Sequence, residues 1–167
     1  AYYEQTVRME QYAFDAQAAR PYFNFLDVQR GLLELTSRLF GVTYRPVHGL
    51  KLWHTDVTAF DILDGATVIG RFYLDLFPRD NKYGHAAQFD YRTGVAEQRL
   101  PQACLICNFP NPKDSPDGVA LMEHNDVVTF FHEFGHLLHH LLAGRQRWIG
   151  NSGISTEWDF VEVPSQL

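Results

Sequence analysis

The 167-residue sequence predicts an α+β chain in which helices pack on a small, mostly antiparallel twisted sheet. Three observations carry that expectation. Leucines recur at helical spacing before residue 41, apolar and polar residues alternate at period two on either side of Asp64-Gly65, and the segment FHEFGHLLHHLL (131–142) is apolar enough to be a buried helix.

Residues 1–41 read as helical. A first helix over 2–20 ends at Pro21, which lacks a backbone donor. A second starts at an Asp27 cap, places Val28, Leu32, Leu35 and Leu39 on one stripe, and stops at Gly41. A β region follows over 52–109. Segments 56–63 and 67–77 flank Asp64-Gly65, a dipeptide that accepts the positive φ of a tight hairpin. The second segment sets Val68, Gly70, Phe72, Leu74 and Leu76 against Ile69, Arg71, Tyr73, Asp75 and Phe77. Segment 102–109 reads as a further strand, either the sheet edge nearest the histidines, where an extended peptide can pair, or an ordinary core strand. Cys104 and Cys107 lie three apart, so on a strand they face opposite sides. With no second CxxC to join them, they read as buried free thiols rather than a redox or metal pair. The loop 110–118 leads into a helix over 125–143, with Asn125 as N-cap, Asp126 in the first turn and Gly144 as the stop.

That helix carries the chemistry. His132 and His136 are four residues apart, so their imidazoles stack on one face and reach a common metal ion. Glu133 projects beside them, where a carboxylate can serve as general base. The alternative is a buried amphipathic helix whose histidines satisfy local hydrogen bonds. His139 and His140 offer further nitrogens, but only the pair 132/136 has a glutamate in second position. His139 then reads as a packing or supporting residue and His140 as facing elsewhere. His54, His85 and His124 lie apart from this spacing and read as structural or surface residues.

A catalytic zinc takes three protein ligands and leaves one position open. A third histidine in the HExxHxxGxxH manner is excluded, because His139 and Leu142 stand where glycine and histidine are needed. A carboxylate from the next segment remains, and spacing admits both Glu157 and Glu162. Segment 156–167 reads as the start of a helix carrying it. Asp159, nearly a turn before Glu162, could orient a ligand histidine.

Several long motifs point the same way. HEFGH, SGIS (152–155) and WDFVEVPSQ (158–166), with GRFYLDLFPRDNKYGHAA (70–87), NFPNP (108–112) and EHNDVVTFFHEFGH (123–136) upstream, resemble the thimet oligopeptidase, neurolysin and oligopeptidase A family of zinc metallopeptidases. The resemblance covers essentially the whole chain. It implies His132, His136 and Glu162 as ligands of one Zn2+, Glu133 as general base, and a zinc-dependent endopeptidase that hydrolyses short oligopeptides by attack of a zinc-bound water. It also implies that the chain is part of a larger, mainly helical peptidase fold, a single catalytic-core fragment that the missing remainder of its own polypeptide completes. Both ends read as cut, because residue 1 opens within a pattern and Leu167 stops inside the expected helix. A truncated fragment that binds zinc without catalysis is the alternative, and a helical interaction domain without metal is a third reading.

Bulk properties narrow the partners. A net charge of −6 disfavours nucleic acid and anionic membrane surfaces. No apolar run is long enough to span a bilayer and no signal peptide is visible, so the expectation is a cytoplasmic enzyme with short peptide substrates.

Overall fold

A computed structural model describes residues 2–12 and 16–166. Helix α1 spans Tyr2–Tyr12 and α2 spans Ala16–Ala19. Residues 13–15, within the expected helix 2–20, lie outside the described residues. Pro21 sits in a 3-10 turn, Arg20–Tyr22, after α2 has ended. Helix α3 spans Phe25–Phe40. Its cap is the extended Asn24 rather than Asp27, which occupies the first turn, where its carboxylate complements the helix dipole. Gly41 closes the helix at φ 67°, a left-handed conformation that glycine adopts without steric cost. The buried stripe is Phe25, Leu32 and Thr36, and Leu35 and Leu39 of the expected stripe are exposed.

Five strands follow: β1 (Thr43–Pro46), β2 (Thr58–Asp64), β3 (Thr67–Asp75), β4 (Ala87–Arg92) and β5 (Gln102–Ile106). Their order is β1-β2-β3-β5-β4, with β3–β5 the parallel pair and the other pairings antiparallel. The β2–β3 hairpin turns at Gly65 (φ 56°), as the Asp-Gly pair predicts. Its register is pinned by charge. Asp61 on β2 lies opposite Arg71 on β3 and Arg45 on β1, accepting from Arg71 Nε at 2.8 Å and Arg45 at 3.2 Å. Burial opposes ionisation of Asp61, but the two guanidiniums outweigh it and hold the carboxyl below its usual range.

Of the two readings of 102–109, the core strand is the one observed and the edge is not. β5 is an interior strand, because β4 returns along its outer side and takes the edge. β4 is an element absent from the sequence expectation, although Ala87, Phe89 and Tyr91 alternate with Gln88, Asp90 and Arg92.

One face of the sheet carries the main core. Phe72, Leu74 and Leu105 meet Leu32 of α3 and Phe130, Phe134, Leu137 and Leu141 of α4 (His124–Leu142). Phe134 stacks edge-on to both Phe72 and Tyr44. The other face holds a smaller cluster, Val57, Ala59, Tyr73 and Cys104, with Val47 and Leu52 packed on it. The cysteines therefore face opposite sides, Cys107 in the main core and Cys104 in the smaller one, and both are free thiols. Burial pushes Cys104 up to about 12 and raises Cys107 as well, so both are inert at neutral pH. Among the described residues no helix is long and apolar enough to cross a membrane.

Residues 158–165 form consecutive turns rather than the expected helix. One helical bond does form, Val161 N–H to the Glu157 carbonyl, and Pro164, which has no N–H for the Phe160 carbonyl, interrupts the ladder beyond it.

Candidate metal centre

Helix α4 starts one residue before Asn125. Glu123 is its N-cap within a capping box: Asp126 accepts from the Glu123 N–H at 2.9 Å, while the Glu123 side chain accepts from the Asp126 N–H. The spacing of two carboxylates three residues apart, rather than the amide at 125, sets the start. Ala143 caps the other end, and Gly144 lies beyond it against Pro101. A rigid, well-capped helix buried along Phe130, Phe134, Leu137, Leu138 and Leu141 thus fixes the rotation at which His132 and His136 emerge.

The two imidazoles converge. Their Nε2 atoms are 3.2 Å apart with the rings nearly perpendicular. Glu162 completes a triangle, its Oε2 3.3 Å from His132 Nε2 and 3.2 Å from His136 Nε2. Ligands at about 2.0–2.1 Å around a tetrahedral zinc are separated by roughly 3.3–3.4 Å, so the three atoms fit three corners of such a site. The triangle faces solvent on one side, with side-chain exposures of 35 % for His132, 12 % for His136 and 48 % for Glu162. The Ser165 hydroxyl lies 2.9 Å from both the carbonyl and Oε2 of Glu162. That hydrogen bond, then the two histidines, draws the Glu162 carboxyl below its usual range, favouring the anion.

The segment carrying Glu162 reaches the helix through Gly135. A Cβ at 135 would meet Pro164 O and Ser165 Cα, each at 2.6 Å. The glycine inside HEFGH therefore lets one backbone lie directly on another. Nothing in the local sequence marks Gly135 for this role, since the backbone it meets lies some thirty residues away.

Of the two glutamates that spacing left open, Glu162 is the one brought to the histidines. Among the described residues Glu157 and Asp159 are exposed, and their side chains make no hydrogen bond or ion pair, the Glu157 carbonyl alone accepting from Phe160 and Val161. Nor does Asp159 orient His136, whose Nδ1 is buried without a hydrogen-bond partner among the described residues. His139 faces the ring of Phe160, and burial lowers its affinity for a proton. His54 and His124 have local partners, the Asp56 N–H and the Phe23 ring, while exposed His85 sits against Tyr83. None of the three joins the triangle.

Glu133 points to the sheet edge. Its Oε2 accepts the Gln88 N–H of β4 at 3.0 Å, which joins the helix carrying the histidines to the edge strand. Period-two alternation over 87–92 is the signal that could have found this contact.

A helix presenting two histidines at i and i+4, met by a carboxylate from a following segment, is the arrangement of a mononuclear metal centre. The chain belongs to Peptidase family M3, whose pattern it matches over residues 1–167. It is 37% identical over 174 residues to a thimet-like oligopeptidase of Dictyostelium discoideum and 40% identical over 173 residues to oligopeptidase A of Escherichia coli K12, in each case across 100% of this chain and 25% of the relative. Saccharolysin of Saccharomyces cerevisiae is 33% identical over 178 residues, covering 99% of this chain and 25% of the relative. The chain thus spans about a quarter of the length of the relatives it matches.

Proposed function

We propose that these residues form the catalytic core of a zinc-dependent oligopeptidase, cytoplasmic in location, within a larger and mainly helical peptidase. The observation that carries this reading is the triangle of His132 Nε2, His136 Nε2 and Glu162 Oε2, with sides of 3.2–3.3 Å. Family membership and relatives named oligopeptidase A and thimet-like oligopeptidase support it.

Two neutral imidazoles and one carboxylate suit Zn2+, leaving a net positive centre with an open face. Zinc bound there lowers the pKa of water towards neutral and polarises a peptide carbonyl. The chain's own residues do the rest. Glu133 takes the proton of the attacking water and returns a proton to the leaving amine. Its orientation comes from the Gln88 N–H, which holds one carboxylate oxygen and leaves the other for the water. β4 is the sheet's edge strand, and its main-chain groups beyond those held by Glu133 and His140 can take an extended peptide by hydrogen bonds. Short, unfolded peptides are the substrates suited to that mode.

Elemental analysis tests the ligand set. His132→Ala, His136→Ala and Glu162→Ala should each abolish stoichiometric zinc, and Glu157→Ala should retain it. Full retention in any of the first three removes that residue from the site.

A further inference from the structure

The same helix holds β4 at a second point. Two turns beyond Glu133, His140 is fully buried, with Nδ1 2.8 Å from Asp90 Oδ1 and Nε2 3.2 Å from the Arg92 carbonyl. Seven residues of helix span about 10.5 Å, and the run from Gln88 to Arg92 spans about 14 Å of strand, so both contacts fall where one helix face crosses one strand. Asp90 and Gln88 share the strand face turned to α4, while Phe89 and Tyr91 meet Tyr83 and Tyr73 on the other.

The surroundings of His140 are specific for an imidazole. Both ring nitrogens face acceptors: Nε2 is within hydrogen-bond distance of the Arg92 carbonyl, while Nδ1 makes a close ion-pair contact with Asp90 that falls outside hydrogen-bond geometry, and the pair is fully complementary only when the ring is protonated. Burial alone disfavours that cation, but Asp90 outweighs it and raises the proton affinity of His140, while Asp90 is itself held below the usual carboxylate range by His140. Gly153, at φ 87°, closes over the ring, and a Cβ there would lie 2.9 Å from Nδ1. A kink in the ladder between Asp90 and Arg92 falls at this point, as bulges do where a strand must be re-aimed. A fully buried imidazole, a half-exposed carboxylate that also accepts from Gln88 Nε2, a close-packed glycine and a bulge thus converge on one helix–strand contact.

We propose that His140 and Asp90 are a positioning pair: they seat β4 on α4, keep the Gln88 N–H on Glu133, and hold the edge of β4 level with the triangle of His132, His136 and Glu162. The inference deepens the peptidase reading and rests on it. Neither residue touches the reacting atoms. Their effect is transmitted by the strand, so its signature is substrate alignment rather than metal binding.

The test uses the intact gene product, zinc-loaded, with Asp90→Ala, His140→Gln and the milder Asp90→Asn. At equal zinc occupancy, Asp90→Ala should raise KM for an extended quenched peptide about tenfold and lower kcat as well, because the Gln88 N–H that orients Glu133 moves with the strand. Asp90→Asn, which keeps a hydrogen-bonding group, should recover part of the loss. The double variant Asp90→Ala/His140→Gln should be no worse than the more affected single variant, as expected for residues acting through one contact. Hydrogen exchange over 87–92 should speed up about tenfold while β2 and β3 keep their protection, a readout independent of activity. Unchanged KM and unchanged exchange over 87–92 in folded, zinc-loaded variants overturn the proposal. Wild-type protein that binds no zinc or cleaves no peptide would instead sink the peptidase reading, while the exchange arm would still report on the pair.

Discussion

Gly135→Ala should weaken zinc binding without weakening the helix. The added methyl would sit 2.6 Å from Pro164 O and from Ser165 Cα, against a floor of about 3.0 Å for real Cβ contacts and ordinary contact from 3.4 Å. The 164–165 backbone must therefore retreat by roughly 0.4–0.8 Å, since neither contact is a flexible side-chain end. Glu162 lies two residues before Pro164 and moves with it. Sides of 3.2 and 3.3 Å towards the histidines then open towards 4 Å, beyond what one tetrahedral ion spans. Overpacking of this kind costs about 1–3 kcal/mol. Borne by the metal site, that corresponds to a loss in zinc affinity of roughly 10–100-fold, the range seen when supporting residues of metal sites are changed. Alanine is about 1 kcal/mol better than glycine in a helix interior, so the metal-free protein should melt no lower than wild type. The assay is zinc competition against a chromophoric chelator, beside thermal melts with and without metal. Zinc affinity within twofold of wild type would refute the reasoning, as would an equal fall in the metal-free melting temperature, which would locate the strain in the fold.

Glu133→Gln should retain zinc and lower peptide hydrolysis by at least ~100-fold, the scale of lost acid–base catalysis, and near-normal turnover would exclude Glu133 as the base. Asp75 predicts an acid-labile fold. Burial opposes its ionisation, yet Arg79, Trp53 and Lys82 bind the carboxylate and bring it to about 2, below its ordinary 3.8. Because the folded-state value is depressed, the stabilisation is complete above about pH 4 and is lost as pH falls through 2; it amounts to about 2 kcal/mol, and urea melts from pH 6 to 2 should show that slope weakened in Asp75→Asn. Phe134→Ala empties the space between Phe72 and Tyr44 behind the histidines and should cost about 3–5 kcal/mol by chemical denaturation, with a loss below 1 kcal/mol contradicting the packing described. Removing zinc with a chelator should leave the β2–β3 core folded and selectively expose 158–166, measured by limited proteolysis, because the metal would strengthen the link from Glu162 to His132 and His136 that helps hold that segment on the helix.

The sequence by itself determined what depends on local spacing. His132 and His136 had to share a helix face once 131–142 was helical, and Asp64-Gly65 had to turn the hairpin. Gly41 had to end α3, and thiols three apart on a strand had to part to opposite faces. Long motifs in order identified the family, because many residues in register are far more specific than one pentapeptide. Tertiary structure decided what depends on distant segments meeting. Glu157 and Glu162 are equivalent by spacing, and only the fold of 158–166 over Gly135 brings Glu162 to the histidines. The sheet edge could not be read from β5, since its apolar run is the same whether or not β4 covers it. Strand order is a long-range choice: β4 crosses beyond β5 to take the edge, and there it gains Glu133 and His140 of the helix as partners. Local rules fix which way a side chain points along its own element, but which element stands opposite is settled only by the packing of the whole chain.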